Sequence, residues 1–368
     1  MKSLVLLASL ALWNAPARAG EPPDQVKDGD EKVAEVAVSG TRDPELKPYR
    51  VMAAGMDAFD EHHRLAPAAT LQFRLSKRGE INRMGGNWDG VSMRLAGNDT
   101  SIPVPIAADG TFVLPRNQQA YDDEADLILN QKKSLIRFSP VVRTPGLPAN
   151  VWRLGDLRLE CQVLVGIAKK ELNFAQRLAI STIMLGGNWC GKGMGKFGFS
   201  LPDRSLSTTL VYGATRRPVP TSAYQIVPPI QDQSVPDDAL LEFEFWSGAS
   251  VERKLQYYAQ WPIRLKNSAN KWGASALLRP KDSAHYSTEI ALDPGTWEFR
   301  LESPGAEISL GSVPGDTPVV AGVDHALQWH WNNLALHIEQ AGTYQFTLNV
   351  QDPDHPLVNV KRVDALTQ

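Results

Sequence analysis

LDPGTWEFRLES at residues 292–303 and NNLALHIEQAGTYQFTLNVQDPDHPLVNV at residues 332–360 decide the fold. In the second stretch Leu334, Leu336 and Ile338 alternate with other side chains, and so do Tyr344, Phe346 and Leu348. Successive side chains of a strand point to opposite faces, so a period of two marks strands with one face against a core. Ala341-Gly342 makes a tight connection between the two runs. The pattern predicts an antiparallel hairpin within a C-terminal β-sandwich over residues 286–363.

The same period recurs upstream. Leu71, Phe73 and Leu75 alternate, as do Val91, Met93 and Leu95; Leu157, Leu159, Cys161, Val163 and Val165 give the longest such run. Ala108-Asp109-Gly110-Thr111-Phe112 adds a turn before an apolar residue, and Asp126-Leu127-Ile128-Leu129 a further strand. Residues 71–167 therefore read as another antiparallel sandwich. Helical spacing interrupts the strands in three places. Met52, Met56, Phe59 and Leu65 form a stripe ended by Pro67, with His62 and His63 near its end, where the helix dipole favours cations. Leu172, Ala175, Leu178, Ala179, Thr182 and Ile183 form a second stripe, over 171–185, stopped by Gly186-Gly187; Ser250 is placed to cap a third helix through Tyr258.

Glycines crowd residues 190–199, but they follow a helix and run into Phe197, Phe199 and Leu201. This is the reverse of a phosphate-cradling loop, which opens a helix. Prolines at 218, 220, 228, 229 and 236 read as an extended linker. The fold class is mainly β, with two or more antiparallel β-sandwich modules and a few short helices. The segments are 1–19 (signal peptide), 20–70 (polar lead and short helix), 71–167 (sandwich), 168–235 (helix, Gly-rich loop and Pro-rich linker), 236–285 (connecting α/β segment) and 286–363 (C-terminal sandwich).

Composition sets the outer limits. The 368 residues are 43% hydrophobic and 21% charged with ten Trp, which excludes a disordered chain; 28 Gly and 26 Pro lack the period of collagen. A net charge of −3 supplies no field for nucleic acid, and no apolar run is long enough to predict a membrane span. Residues 151–289 hold 17 basic and 12 acidic groups and residues 290–368 hold 3 and 10, so the middle and the C-terminal module are electrically complementary. Nothing in the pattern specifies an oligomeric state. Lys2, the apolar run Leu4 to Leu12 and Ala17-Arg18-Ala19 read as a Sec-type signal peptide cut before Gly20; with no lipobox Cys, the expected location is periplasmic or secreted. In such a compartment Cys161 and Cys190 are expected to pair as a disulfide; the alternative, a reactive thiol, needs a nearby His to lower its pKa.

Pro294, Gly295, Trp297, Phe299, Asn333, Leu334, Gly342, Tyr344, Phe346, Leu348, Asp352, Pro356 and Val360 stand in an order that resembles the small sandwich modules of bacterial pullulanases and outer-membrane starch-binding lipoproteins. The resemblance covers about a fifth of the chain and implies a glycan-binding or spacing unit. Sugar recognition asks for an exposed aromatic face and polar side chains that replace hydroxyl hydration. Trp329 and Trp331, two apart and so on one face of a strand, with Asn332 and Asn333 adjacent, form the candidate glycan platform; the alternative is that both indoles fill the sandwich or an interdomain seam.

Gly-x-Ser-x-Gly, His-Glu-x-x-His and calcium-loop patterns are missing, the five His between His285 and His355 share no helix face, and the acidic run Asp122 to Asp126 reads as a solvated turn. No catalytic residue, metal ligand or cofactor is expected. The sequence thus describes an exported, non-catalytic, multi-module protein that binds a glycan through its C-terminal sandwich. An envelope scaffold or assembly protein that binds other proteins is the alternative, and a hydrolase with an unrecognised site the remote one.

Overall fold

A computed structural model of the chain describes residues 42–78, 86–172, 190, 197–273, 275–313, 315–329 and 332–363. It is mainly β, with several antiparallel sheets, helices α1 (Tyr49–His62), α2 (Gln118–Asp122), α3 (Leu154–Glu171) and α4 (Val251–Ala259), and three apolar cores. The first core takes side chains from α1, from α3 and from two sheets. One sheet has the order Pro44–Pro48, Asp126–Lys132, Met93–Ala96, Ser101–Val104, and the other Thr111–Phe112, Thr70–Lys77, Ile136–Arg143. The expected strands at 71, 93 and 126 and the helix at 51 are all present.

The longest alternating run is a helix, not a strand. Leu157, Leu159, Cys161, Val163 and Val165 all lie in α3. On a helix, residues 157, 161 and 165 form one stripe and residues 159, 163 and 167 another, roughly 200° away at 100° per residue. Both stripes are buried: Leu159, Val163 and Ile167 in the first core, Leu157, Cys161 and Val165 in a second. Two stripes offset by two residues produce period-two hydrophobicity in a helix covered on opposite faces. The first sandwich therefore does not extend to residue 167, and the expected boundary there falls inside α3. Close packing depends on two glycines. A Cβ on Gly55 of α1 would sit 2.7 Å from Ile167 Cγ1, and one on Gly166 would sit 2.8 Å from Ala54 O. Glu171 closes α3, and the expected helix over 171–185 and the Gly-rich loop lie almost wholly outside the described residues.

The second core underlies a four-stranded sheet of order Thr215–Pro218, Ser205–Tyr212, Leu240–Phe245, Val151–Arg153 and a small sheet containing Phe199–Ser200. Cys161 of α3 forms a disulfide with Cys190. The expected linker is packed structure. Pro218 ends an edge strand, where its missing N–H is harmless, and the segment 228–237 folds over Arg158 of α3. That guanidinium donates to Ile230 O at 2.9 Å, Asp232 O at 2.6 Å and Val235 O at 2.9 Å, and pairs with Asp237. Proline-rich backbone is thus held by one buried side chain in addition to its own short turns, such as Ile230 N to Pro228 O and Asp232 N to Pro229 O.

The third core is the C-terminal sandwich. Sheet I has the order Ala276–Leu277, Arg264–Asn267, Gly295–Glu302, Ser309–Leu310, with Leu334–Ile338 also on Gly295–Glu302; sheet II has the order Arg279–Pro280, His285–Leu292, Gly342–Asn349, Leu357–Val363, His325–Ala326. The module takes strands from residue 264 onward, so the segment expected to be a connector supplies part of it. The expected hairpin is absent. Leu334–Ile338 pairs with Gly295–Glu302, Gly342–Asn349 pairs with His285–Leu292 and Leu357–Val363, and the short 339–341 connection carries the chain from one sheet to the other. Period two shows that each strand has a buried face; it does not show which partner it takes. Helix α4 starts as expected, with Ser250 Oγ accepting from Arg253 N.

Candidate functional site

Gly295–Glu302 turns Phe299 and Leu301 inward and Thr296, Glu298, Arg300 and Glu302 outward. Residues directly opposite across an antiparallel pair share a face, so the register places Arg264 beside Glu302, Lys266 beside Arg300 and His337 beside Thr296 on the same outer surface. Hydrogen bonds tie the row together. Lys266 Nζ donates to Glu302 Oε1 at 2.9 Å, Arg300 Nε to Glu302 Oε2 at 2.7 Å, Arg300 Nη1 to Asn333 Oδ1 at 3.2 Å, and Asn333 Nδ2 to Glu298 Oε2 at 3.0 Å. Partial burial pushes the Glu302 carboxyl up, but the bonds from Lys266 and Arg300 outweigh it and hold the group below the usual carboxylate range.

Trp272 stands beside this row. The chain leaves the strand Arg264–Asn267 through a tight turn closed by Lys271 N to Ser268 O and Trp272 N to Asn267 O, both 3.1 Å. Lys271 and Trp272 adopt φ of 54° and 63°, left-handed values that cost a non-glycine residue roughly 1 kcal/mol or more. The turn brings the Trp272 ring within 5.3 Å of the Arg300 guanidinium carbon and leaves the indole partly exposed. An aromatic ring next to fixed donors and acceptors on an open face is the chemistry that a pyranose asks for: a C–H face to stack and hydroxyls to bind.

The platform read from the sequence is placed elsewhere. Trp329 lies in the seam between the C-terminal sandwich and the residues before it. Arg204, itself buried, stacks on its ring at 3.7 Å, and Trp246 and Tyr258 pack around it at ring separations of 5.4 and 5.7 Å. Trp331 lies outside the described residues; Asn332 is half-buried and its carbonyl accepts from Ser312 N. The alternative use for Trp329, filling a seam, is the one observed. Two further links cross the seam, the first of them an ion pair in the sense that the uneven charge suggested and the second a bond to a main-chain carbonyl. Lys254 Nζ bonds both oxygens of Asp354 at 2.8 and 2.9 Å, and Arg204 Nη1 reaches Glu307 O at 2.5 Å. Burial in the seam pushes the Tyr257 hydroxyl up to about 12. The acidic run around Asp122 is engaged with Arg50 and Thr100, and among the described residues no group of His, Cys, Asp and Glu is arranged to hold a metal. No helix among them is long and apolar enough to cross a membrane.

No family model matches the chain, and no curated protein matches it in sequence. Solved structures that share part of its outline include the ligand-induced structure of the starch-binding domain AmyP-SBD and a pullulanase from Bacillus acidopullulyticus. The first is 13% identical over 27% of this chain and 71% of its own, with a TM-score of 0.22. The second is 12% identical over 44% of this chain and 18% of its own, with a TM-score of 0.17. At these scores neither likeness carries an argument about this chain, and the chain spans about a fifth of the pullulanase.

Sequence reading missed Trp272. The signal was present in Asn270-Lys271-Trp272-Gly273, where a large aromatic sits inside a string of turn-forming residues that gives it no strand face to fill. Arg300, Glu302 and Lys266 were legible only as charges, because the register that joins them comes from tertiary pairing.

Proposed function

We propose that this is an exported, non-catalytic, multi-module protein that binds a neutral glycan through the outer face of sheet I. The observation that carries the reading is the Trp272 indole, held by a strained turn beside the hydrogen-bonded row Lys266, Glu302, Arg300, Asn333 and Glu298. Stacking on Trp272 supplies affinity, and the row supplies hydroxyl recognition at little cost in side-chain ordering, because its members already restrain one another. The cations of the row are matched by carboxylates, which favours an uncharged sugar over an acidic one.

The same geometry speaks against hydrolysis at this face. Both carboxylates of the row are already engaged, Glu302 by Lys266 and Arg300 and Glu298 by Asn333, so neither is placed free to protonate a leaving group or activate a water. Glu302 is also held ionised, the wrong state for a general acid. The signal peptide pattern over 1–19 supports export.

Affinity electrophoresis of the mature chain through gels containing starch, other α-glucans or β-glucans tests the reading. Retardation by at least one glycan is expected, weakened about tenfold or more by Trp272→Ala, the factor that 1.4 kcal/mol represents, and more mildly by Asn333→Ala. Absence of retardation across the panel, or retardation indifferent to Trp272→Ala, sinks it.

A further inference from the structure

A second place in the molecule carries different chemistry. The strand pair Thr70–Lys77 and Ile136–Arg143 turns Phe73 and Leu75 into the first core and presents Arg74, Ser76, Arg137, Ser139 and Arg143 on the other side. Glu160 and Leu164 of α3 and the segment Gly198-Phe199-Ser200 face them across a cavity of about 200 Å³. A neighbouring cavity of about 280 Å³ shares Arg74, Val141 and Arg143 and adds Gln72, Thr144 and Trp152.

Three guanidiniums line the first cavity against one carboxylate, and that carboxylate is committed. Glu160 Oε2 accepts from Val142 N at 3.0 Å and from Arg143 at 2.6 Å, while the Arg143 plane stacks 3.9 Å over Trp152. Arg74 donates to Asp109 at 3.3 Å. Arg137 is exposed and forms no ion pair with a carboxylate among the described residues. The register sets Arg74 opposite Ser139 and Ser76 opposite Arg137, so the two arginines are diagonal neighbours, with Cα atoms roughly 7–8 Å apart. At that spacing two guanidinium forks can address one oxyanion between them, and the hydroxyls of Ser76, Ser139 and Ser200 are further donors on the same walls. Like charges gathered on one sheet face repel, and a bound anion relieves that repulsion.

We propose that this trough binds a small ligand through an oxyanion group, a carboxylate, phosphate or sulfate, gripped between Arg74 and Arg137 against α3. It is a second site, separate in residues and in ligand charge from the glycan face, so either can fail without the other. Isothermal titration of the full chain with inorganic phosphate, inorganic sulfate and a digalacturonate tests it, and the probe that binds identifies the group. Saturable binding by at least one probe is expected, weakened about tenfold or more by Arg137→Ala and unchanged by Arg216→Ala, an exposed arginine elsewhere. Arg137→Lys, which keeps the charge and loses the fork, should fall between wild type and Arg137→Ala. No saturable binding of any probe, binding indifferent to Arg137→Ala, or an equal loss in Arg216→Ala overturns the proposal.

Discussion

In the C-terminal sandwich the inward positions are Phe299, Leu301, Leu334, Leu336, Phe346 and Leu348, and the charges Lys266, Arg300 and Glu302 stand on an outer face. Around α3 the arrangement is reversed. Asp156, Arg158 and Glu160 are all buried, and each is hydrogen-bonded to backbone that lies far from it in the chain or in a neighbouring strand. The first region is held by apolar area, which is non-directional and tolerant of substitution within a size class. The second adds to its apolar packing the charge-assisted bonds made by Arg158 and Glu160, which are directional and costly to break once buried. The two regions should therefore respond to mutation, reduction and pH in opposite ways.

Arg158→Ala tests the contrast at its strongest. It removes a guanidinium that is 8% exposed, and with it the bonds to the carbonyls of Ile230, Asp232 and Val235 and to the Asp237 carboxylate. A loss of about 3–5 kcal/mol is expected, measured as the shift of the urea midpoint, with the proline-rich segment becoming protease-sensitive. A loss under about 1 kcal/mol would show that the segment 228–237 packs without its clamp. The disulfide comes next. Cys161 and Cys190 are 29 residues apart, so replacing both by Ser removes about 3.5 kcal/mol on the chain-entropy account. Reductant should reproduce the loss in the wild type and leave the double variant unchanged.

The same contrast explains what was legible in the sequence. Strands such as Thr70–Lys77, Met93–Ala96 and Gly342–Asn349 have one buried face, and alternation announced them. So did the amphipathic stripe of α1 and the Ser250 cap. α3 was misread because burial on two faces imitates a strand, and the proline-rich stretch because the side chain that clamps three of its carbonyls lies some seventy residues earlier. The hairpin failed because 339–341 crosses between sheets, a fact of register that no local pattern contains. Trp329 reads as a sugar platform when only its spacing to Trp331 is known; its partner Arg204 lies in another module. The row around Arg300 depends wholly on register.

Trp329→Ala separates a seam from a platform. The ring is partly exposed, so about 2 kcal/mol of stability should be lost, below the 3–5 kcal/mol of a fully buried Trp, while retardation by glycan is retained. Loss of glycan retardation without loss of stability would return the binding role to Trp329.

The smallest expected effect concerns acid, and its sign differs between the two regions. Glu302 has a folded-state pKa below its ordinary 4.5: burial opposes ionisation, but the bonds from Lys266 and Arg300 prevail. The unfolded chain thus binds a proton before the folded one, so this carboxylate's stabilisation is complete above the unfolded value and disappears as pH falls through the folded value. Asp156 has the opposite sign. Burial raises it despite the two bonds from Thr144, so its ionisation opposes folding, and that penalty grows as pH rises through its range. Glu302→Gln should cost about 0.5 kcal/mol at pH 6, the size of a partly exposed ion pair, and nothing once the medium is acid enough to protonate Glu302 in the folded chain. Asp156→Asn should instead flatten the loss on the alkaline side of the carboxylate range. Urea titrations of the wild type and both variants from pH 3 to pH 7 read the two slopes separately. An equal deficit for Glu302→Gln at both ends would mean that the outer row of sheet I is held by hydrogen bonds whatever its charge, and that the opposition between a charged surface there and a charged interior around α3 is one of position rather than of chemistry.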